Sequence, residues 1–399
     1  MTLYIGTPEI KINYGKARLC CRIRWDSGSY DMWYEVEECF GKYLSDERAD
    51  AFLIAVLPYA MKEAIDVRVE APLSERLFYQ LTTAYIPALA KNTKTYHYIK
   101  LECDYLDNTS LQSADAVGAG FSGGVDSFYT VCTHLDTRAE HHKLTHLTFF
   151  NVGASGDAGG EEARELFLKR QGSARFFADH NGLNFAAVDS NISEFIKYKH
   201  LQTHTMRSFS AVLALQKLFS VYYYSSGCTL GEFSLKKGDE ASTYFDLMSA
   251  YCLTNENTKF YISGLNESRI EKCAAIADYP LSYRYLNVCL TEGTNCCNCE
   301  KCLRTMLAFY AIGKLGLYGD VFDVNGFMAN LNKNLIALVE NSGNRNYSEI
   351  RDAMKENGLI IPLDVRITGN IMRITGRFFP GIRKRLATVK LLRRLREKI

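Results

Sequence analysis

The feature that most constrains the fold is a glycine-rich segment between an apolar stretch and a helix. Residues 114–117 are apolar except for Asp115, and helical spacing begins at Phe128. Between them stands Gly118-Ala119-Gly120-Phe121-Ser122-Gly123-Gly124-Val125-Asp126-Ser127. Glycine lets a backbone turn tightly. The N–H groups of such a turn, and the N-terminus of the helix after it, attract anions. The sequence therefore predicts a strand, a phosphate-binding turn and a helix in succession.

Several kinds of glycine-rich turn fit this description. A Walker loop is excluded, because the segment lacks the Gly-Lys-Ser/Thr that reaches a γ-phosphate. A dinucleotide-binding turn would use Gly118, Gly120 and Gly123, but it also requires an acid at the end of the next strand. That strand, predicted over residues 144–152, carries Asn151 and no acid. A plain strand-to-helix turn without a ligand also stays open.

The six residues Ser122-Gly123-Gly124-Val125-Asp126-Ser127 reproduce S-G-G-x-D-S. The chain therefore resembles the PP-loop family of ATP pyrophosphatases. The resemblance implies an adenine-nucleotide-hydrolase-like fold, which is Rossmann-like. It also implies that these six residues bind the β- and γ-phosphates of ATP with Mg²⁺, and that AMP stays on the activated substrate. By the same resemblance, the adenine lies against the end of the next strand, at Phe150, Asn151 and Val152.

Chemically, the loop suits a departing pyrophosphate. The hydroxyls of Ser122 and Ser127 and the backbone N–H groups are neutral donors, and Asp126 can hold Mg²⁺ or orient the loop.

The pattern after residue 114 predicts an α/β fold with a parallel sheet. A strand over residues 144–152, a helix from Glu161 and a strand over residues 185–188 alternate as βαβ units do. Ligands of such sheets bind beyond the carboxyl ends of the strands. We expect residues 113–315 to form the nucleotide-binding domain and residues 316–399 a helical C-terminal region.

Residues 1–112 predict a separate α+β accessory domain. Alternating apolar residues indicate strands over residues 17–25 and 66–70, and residues 96–105 indicate a further strand. Helical spacing covers residues 46–65, with Ser45 or Asp46 as the N-cap. No catalytic group of residues is recognisable here, so a packing or substrate-shaping role is expected.

A helix predicted over residues 205–222 begins near Arg207, and a further strand is expected over residues 222–227. A cation at the start of a helix that follows a strand is expected to face polyphosphate, so Arg207 is a candidate catalytic residue. His200 and His204 stand four apart, but no acid or cysteine beside them completes a metal site.

Arg269 and Lys272 are two further candidate catalytic cations. They stand three residues apart on a predicted helix and therefore share one helix face. Two interpretations stay open: a solvated face, or a pair of cations that closes on the phosphates or on an acidic substrate. With Arg207, Asp126 and Ser127 they complete the predicted catalytic set.

Five of the thirteen cysteines lie between Cys289 and Cys302. Cys296, Cys299 and Cys302 form C-x-x-C-x-x-C, and Cys289 can supply a fourth thiolate. Four thiolates fill a tetrahedral zinc site, which is then structural. No histidine follows His204, so a nearby histidine ligand is excluded.

The fifth cysteine of this cluster, Cys297, leaves the ligand set open, because it competes with Cys296 for one position. An iron–sulfur cluster and a redox-active or sulfur-carrying thiol are alternatives to zinc.

The loop followed by this cysteine cluster and Arg304 is similar to the 7-cyano-7-deazaguanine synthases over residues 114–312. That resemblance implies a zinc site at Cys289, Cys296, Cys299 and Cys302. It also implies a ligase that adenylates a carboxylate or carbonyl oxygen for attack by a nitrogen nucleophile. The long N-terminal segment, the C-terminal tail and Cys297 in place of glycine depart from that family.

The expected partners are a small-molecule carboxylate and a separate nitrogen donor, since no glutaminase nucleophile follows Met1-Thr2. A homodimer is a further expectation. Two alternative functions stay open: sulfur transfer to tRNA by a PP-loop enzyme, and nucleotide binding without catalysis.

The C-terminal tail differs in charge from the rest of the chain. Residues 377–399 hold nine Lys/Arg and one acid, Glu397, which gives the tail +8 and leaves −6 for the remainder of a chain of net charge +2. Apolar residues recur there at helical spacing: Ile382, Leu386, Val389, Leu392 and Leu395. Such a segment binds an anionic membrane surface, nucleic acid, or the acidic body of the protein.

The sequence also bears on location. Met1 is not followed by a basic and then apolar signal segment, and the longest uncharged apolar stretch, residues 51–61, contains Pro58. We expect a cytoplasmic protein that is peripheral to the membrane if the tail binds lipid.

Overall fold

The computed structural model describes residues 1–289 and 294–378, with side chains described up to residue 375. The chain divides into two compact units. The first unit comprises Met1–Ser122 and Thr130–Asn266, and the second comprises Gly123–Tyr129 and the chain from Glu267 onward. This division differs from the boundaries predicted after residues 112 and 315.

The first unit is built on one large sheet. In the part of the chain that the structure describes, ten strands follow one another in the order β13-β12-β9-β10-β11-β4-β3-β1-β5-β7, and β2 pairs with β3. Their bounds are β1 Thr2–Ile5, β2 Glu9–Asn13, β3 Lys16–Trp25, β4 Gly28–Glu37, β5 Asp66–Val69, β7 Leu101–Cys103, β9 Ala116–Gly120, β10 His146–Phe150, β11 Asn184–Ser190, β12 Phe219–Ser225 and β13 Lys259–Ser263. Two short strands, β6 Leu73–Ser74 and β8 Leu106–Asp107, pair apart from it.

The half of this sheet formed by β9–β13 is parallel. β10 runs parallel to β9 and β11, and β12 runs parallel to β9 and β13. Glycine is required inside β9, because a Cβ on Gly118 would lie 2.5 Å from the ring of Phe219 and 2.9 Å from that of Tyr222. The predicted α/β class with a mainly parallel sheet is confirmed, and it is compatible with a Rossmann-like fold.

The N-terminal strands extend the same sheet in antiparallel fashion. β4 pairs with β11 through Asp189↔Glu35 and Ser190↔Tyr34, and β3 pairs with β4 along ten residues each. Residues 1–112 therefore share a sheet with the later strands. The predicted strands over residues 17–25 and 66–70 are confirmed, whereas only β7 forms within residues 96–105.

The helices of the first unit contribute buried apolar side chains to its core. They are α1 Asp50–Lys62, α2 Glu75–Gln80, α3 Ile86–Asn92, α5 Glu161–His180, α6 Ile192–Ile196, α7 His200–Ala214 and α8 Asp246–Cys252. α1 packs against α7. The predicted cap at Ser45 or Asp46 is wrong, because α1 begins after Ala49, whose side chain makes no capping bond.

The helix predicted over residues 205–222 is also wrong at both ends. α7 starts at His200, and the chain from Phe219 to Ser225 forms β12 instead. A run of buried apolar residues fits a helix and a buried strand alike, so periodicity alone does not place the change.

Helices form the second unit. They are α9 Arg269–Ala277, α10 Ser282–Tyr285, α11 Glu300–Ala311, α12 Val324–Ala329, α13 Leu331–Glu340, α14 Arg345–Glu356 and α15 Leu363–Phe378. α4 (Val125–His134) begins in this unit, three residues earlier than predicted. The basic tail lies outside the described residues except for the end of α15. Among the described residues, no helix combines the length and apolar composition needed to cross a bilayer.

Candidate functional site

The turn between β9 and α4 depends on glycine. Gly123 has φ +76°, a left-handed conformation that costs other residues free energy. Its carbonyl oxygen accepts a hydrogen bond of 2.7 Å from the N–H of Asn287. The hydroxyl of Ser127 donates to the carbonyl oxygen of Gly124 at 2.9 Å. The first turn of α4 therefore holds Asp126 and Ser127 within the second unit, and Ser122 belongs to the first.

The carboxylate of Asp126 pairs with two cationic side chains. Arg269 Nη1 lies 2.5 Å from Asp126 Oδ2, and Lys272 Nζ lies 3.4 Å from Asp126 Oδ1. The side chains of Arg269 and Lys272 are 16% and 3% exposed, whereas that of Asp126 is 34% exposed. Two positive charges on one carboxylate leave a net charge of +1. We call these three residues the Asp126 cluster.

The start of α9 places both cations. Ser268 and Glu271 cap the helix reciprocally, each side chain accepting from the other's backbone N–H. Arg269 and Lys272, three residues apart in the first turn, then lie on one face. The backbone N–H of Arg269 donates to Glu349 of α14 at 3.2 Å. The predicted common face is confirmed, and it faces Asp126 rather than solvent alone.

The charges of the cluster stabilise one another. Burial alone would raise the pKa of the Asp126 carboxyl, but Arg269 and then Lys272 outweigh it and bring that pKa below its usual value. Burial alone would lower the pKa of Arg269, but the charge of Asp126 outweighs burial and raises that pKa above its usual value. Asp126 is therefore ionised at neutral pH, although its partners are largely buried.

Arg304 of α11 belongs to the same neighbourhood. Its Nη1 donates to Glu300 at 3.2 Å, and its Nε is buried with no hydrogen-bond partner among the described residues. Burial raises the pKa of the Cys273 thiol to about 11, and the charges of Arg269 and Arg304 both act against that rise. Sequence reasoning noted Arg304 only as the arginine after the cysteines. Its place beside α9 depends on the packing of α11 on that helix.

Four cysteines of the second unit converge. The sulfur atoms of Cys289, Cys296, Cys299 and Cys302 all lie within 4.8 Å of one another, and Cys296 and Cys302 are 4.0 Å apart. Zinc–sulfur bonds of about 2.3 Å in a tetrahedron place sulfur atoms about 3.8 Å apart, so the group fits a metal ion such as zinc. The N–H of Cys299 points at Cys296 Sγ at 3.3 Å, which orients that ligand.

The structure separates Cys297 from this group. Cys297 has φ +59°, and its sulfur atom lies 3.6 Å from the carbonyl oxygen of Asn295 and accepts the N–H of Asp323 at 3.2 Å. Cys296 therefore takes the position for which the two residues competed. Cys299 also caps α11 and Cys302 lies in its first turn, so two of the four cysteines stand at the start of the helix that carries Arg304.

In the first unit, the residues predicted to face adenine end β10. Asn151 is buried; its Nδ2 donates to Asp189 at 2.7 Å, and its backbone N–H donates to Val188 at 2.9 Å. Val152 is buried, and the ring of Phe150 stacks on that of Tyr222 at 6.1 Å. Asp189 on β11 is an acid at this strand edge that sequence reasoning missed. Adenine binding by these residues stays a prediction.

Arg207 has other partners than the predicted polyphosphate. It is fully buried, and its guanidinium donates to Tyr198 O at 2.8 Å and to Ser193 Oγ at 3.0 Å. Burial lowers its pKa to about 10. Further contacts of 3.4 Å reach the carbonyl oxygens of Val152 and Asp157, so Arg207 ties down the segment after β10.

Among the described residues, no third His, Cys, Asp or Glu joins the histidine pair beside Arg207 in a metal-ligating group. His204 Nδ1 pairs with the hydroxyl of Tyr224 at 2.5 Å, and the backbone N–H of His200 donates to Asp157 at 2.7 Å.

The functional assignment rests on these residues, above all on the Asp126 cluster and the four cysteines. No protein-family model, no curated protein and no solved structure matches the chain.

Proposed function

We propose that the protein is an ATP-dependent enzyme of the PP-loop type, which adenylates a carboxylate or carbonyl oxygen, releases pyrophosphate and lets a nitrogen nucleophile displace AMP. The observation that carries the proposal is the Asp126 cluster at the start of α4. S-G-G-x-D-S alone describes a turn, whereas the cluster adds two cations to the helix N-terminus that follows that turn.

The net charge of the cluster supports polyphosphate as its ligand. The three side chains of the cluster carry two positive charges and one negative charge, and we propose that this fixed excess attracts an incoming phosphate. Because Arg269 and Lys272 are mostly buried, solvent screens their charge weakly. Groups fixed in this way stabilise a leaving pyrophosphate without reorganisation, and the loss of one such donor typically lowers a rate about 100- to 1,000-fold.

In the proposed reaction, an oxygen of the substrate forms a bond to the α-phosphorus while the bond from that phosphorus to the bridging oxygen breaks. Arg269 and Lys272 neutralise the pyrophosphate that leaves. Ammonia or an amine then bonds to the carbonyl carbon, and AMP departs with the oxygen that joined it to that carbon. Bound Mg²⁺ would supply further charge neutralisation, with Asp126 as its candidate ligand. The backbone N–H groups of residues 122–127 are proposed donors to the phosphates.

The four cysteines have a supporting role in this proposal. Zinc held by Cys289, Cys296, Cys299 and Cys302 has all four positions filled by protein, so it binds no substrate. Its effect is to fix the start of α11, where Glu300 stands in the first turn and Arg304 in the second.

Product analysis tests the proposed function. The full chain is incubated with Mg-ATP, ammonium and a panel of carboxylic acids, and nucleotides are separated by chromatography. The expected result is AMP and pyrophosphate in equal amounts with at least one acid, and their loss in Asp126→Asn. Lys314→Met is the matched control, since it removes an exposed cation that pairs with Asp278 at 3.6 Å.

Three results would point elsewhere. ADP as the product contradicts attack at the α-phosphorus. AMP formed only with tRNA and a sulfur donor supports the sulfur-transfer alternative, and tight ATP binding with no product under any condition supports a nucleotide-binding protein without catalysis.

A further inference from the structure

The last described helix, α15, has an apolar stripe that nothing in the described chain covers. Leu363, Ile367, Ile371 and Ile374 are 69%, 53%, 56% and 53% exposed. At 100° per residue they fall within less than a quarter of the helix circumference. Such a row of exposed branched side chains is uncommon on a surface that faces only water.

The opposite face of α15 is fixed to the second unit. Val365 is fully buried, and a Cβ on Gly369 would lie 2.6 Å from the side chain of Val339 on α13. The close packing on α13 sets the rotation of α15 about its axis. The stripe is therefore held outward by the fold.

Cations border the stripe. Arg366 and Arg373 are exposed and lie together on one side of it. Arg366 also lines a groove of about 570 Å³ with Arg351 and Lys355. Asp352 is the acid of that groove, and its apolar lining residues are Val339, Leu359, Ile360 and Ile361. Asp364 is an exposed acid on the other side of the stripe. Around the stripe and the groove, four Arg/Lys therefore stand against Asp352 and Asp364, so exposed apolar side chains combine with a modest local excess of positive charge.

The chain beyond α15 increases that charge. Residues 379–399 lie outside the described residues, and with Arg377 they contribute nine Lys/Arg against one acid. A second copy docked stripe to stripe would bring two such basic segments together, which like-charge repulsion opposes. Nucleic acid would account for the basic residues but leaves the isoleucines exposed. An anionic bilayer surface offers phosphates beside an apolar layer and satisfies both.

We propose that the protein binds the surface of anionic lipid bilayers through α15. The stripe enters the boundary between headgroups and acyl chains, and Arg366 and Arg373 contact lipid phosphates. This proposal is independent of the ATP chemistry above.

Vesicle sedimentation of the full chain tests it. Vesicles of phosphatidylcholine alone are compared with vesicles that contain about a third phosphatidylserine, at low and at high salt. The variants are Ile367→Ser/Ile371→Ser and Arg366→Gln/Arg373→Gln. Leu168→Ser, which alters an exposed leucine of α5 in the first unit, is the matched control. Circular dichroism checks that each variant keeps the helical content of the wild type.

We expect binding to phosphatidylserine vesicles only, weakened by salt. The isoleucine variant should bind about tenfold or more weakly, because each lost aliphatic side chain removes apolar area from the boundary layer. The arginine variant should bind about 25-fold more weakly, at roughly a factor of five for each of its two charges. Leu168→Ser should bind as the wild type does.

Three outcomes would overturn the proposal. One is that the protein binds neither kind of vesicle. This outcome overturns the proposal also when the isoleucine variant differs from the wild type in oligomeric state. Another is binding that is unchanged in the isoleucine variant, which would assign the interaction to the tail alone. The third is equal binding to both kinds of vesicle.

Discussion

The conformation of Gly123 yields a quantitative prediction. A Cβ at this position would meet only ordinary neighbours, Asn287 Cβ at 3.5 Å and Tyr285 O at 3.6 Å, so Gly123→Ala creates no clash. The cost comes from φ +76°, which a residue with a Cβ adopts at about 1–2 kcal/mol. If the turn of Gly123→Ala keeps its shape, the free energy of unfolding of the protein falls by this amount. If the turn relaxes instead, Mg-ATP affinity falls by about 5- to 30-fold.

Two assays measure these alternatives. Urea unfolding followed by circular dichroism gives the change in stability, and calorimetry gives the Mg-ATP affinity. Gly319→Ala is the control, because Gly319 has φ −61° and open space around its Cβ position. Alanine there should be neutral or stabilise by about 0.4–1 kcal/mol. If Gly123→Ala matches Gly319→Ala in both assays, the turn does not hold the conformation on which the phosphate site depends.

Three further predictions concern the zinc site, Arg207 and histidine protonation. Elemental analysis should find about one zinc per chain; Cys302→Ser should lose it, whereas Cys297→Ser should keep it, and the reverse would contradict the ligand set. Arg207→Met should lower the free energy of unfolding in urea by about 2–4 kcal/mol, because it leaves oxygen atoms of Tyr198 and Ser193 without their donor. The control Arg22→Met breaks an exposed pair with Asp31 and should lower it by less than about 1 kcal/mol. Burial, together with the charges of His200 and Arg207, lowers the pKa of His204 to about 3. As the pH falls, the unfolded chain therefore binds the proton before the folded chain does, so stability should decrease from about pH 6.5 towards pH 4. If the free energy of unfolding of His204→Gln depends as steeply on pH as that of the wild type, this prediction is wrong.

Much of the fold follows from local pattern. The alternation of apolar residues predicts β3 and β5, and the spacing of strands and helices after residue 114 predicts β10, α5 and β11. The pairing of β4 with β11 could not be predicted, because the two strands lie about 150 residues apart and nothing in their alternation identifies the partner. That pairing joins the N-terminal strands to the parallel sheet.

The error at α7 and β12 has a similar cause. Leu218, Phe219 and Tyr222 are buried and suit either a helix face or a strand that is buried on both sides. These residues form strand β12 because β9 and β13 lie on either side as its pairing partners.

The candidate site was predictable in its motifs and less so in its contacts. The spacing of Arg269 and Lys272 predicts a shared face, but only the fold places Asp126 against it. The competition between Cys296 and Cys297 was open in the sequence, and the backbone at Cys297 resolves it. Arg207 looked like a phosphate ligand because of its position near a helix start, and its burial depends on the packing of the segment after β10.

In the proposed function, the Asp126 cluster binds the phosphates of ATP. Titration calorimetry of Mg-ATP with the wild type, Arg269→Met, Lys272→Met and Lys314→Met tests it most directly, because it needs no knowledge of the acceptor substrate. We expect one Mg-ATP site per chain in the wild type and in Lys314→Met. Arg269→Met and Lys272→Met should each bind Mg-ATP more than about tenfold more weakly, because each loses a charge-assisted hydrogen bond worth about 1.5–3 kcal/mol. Equal affinity in all four proteins, or no binding of Mg-ATP to the wild type at millimolar concentration, would contradict it.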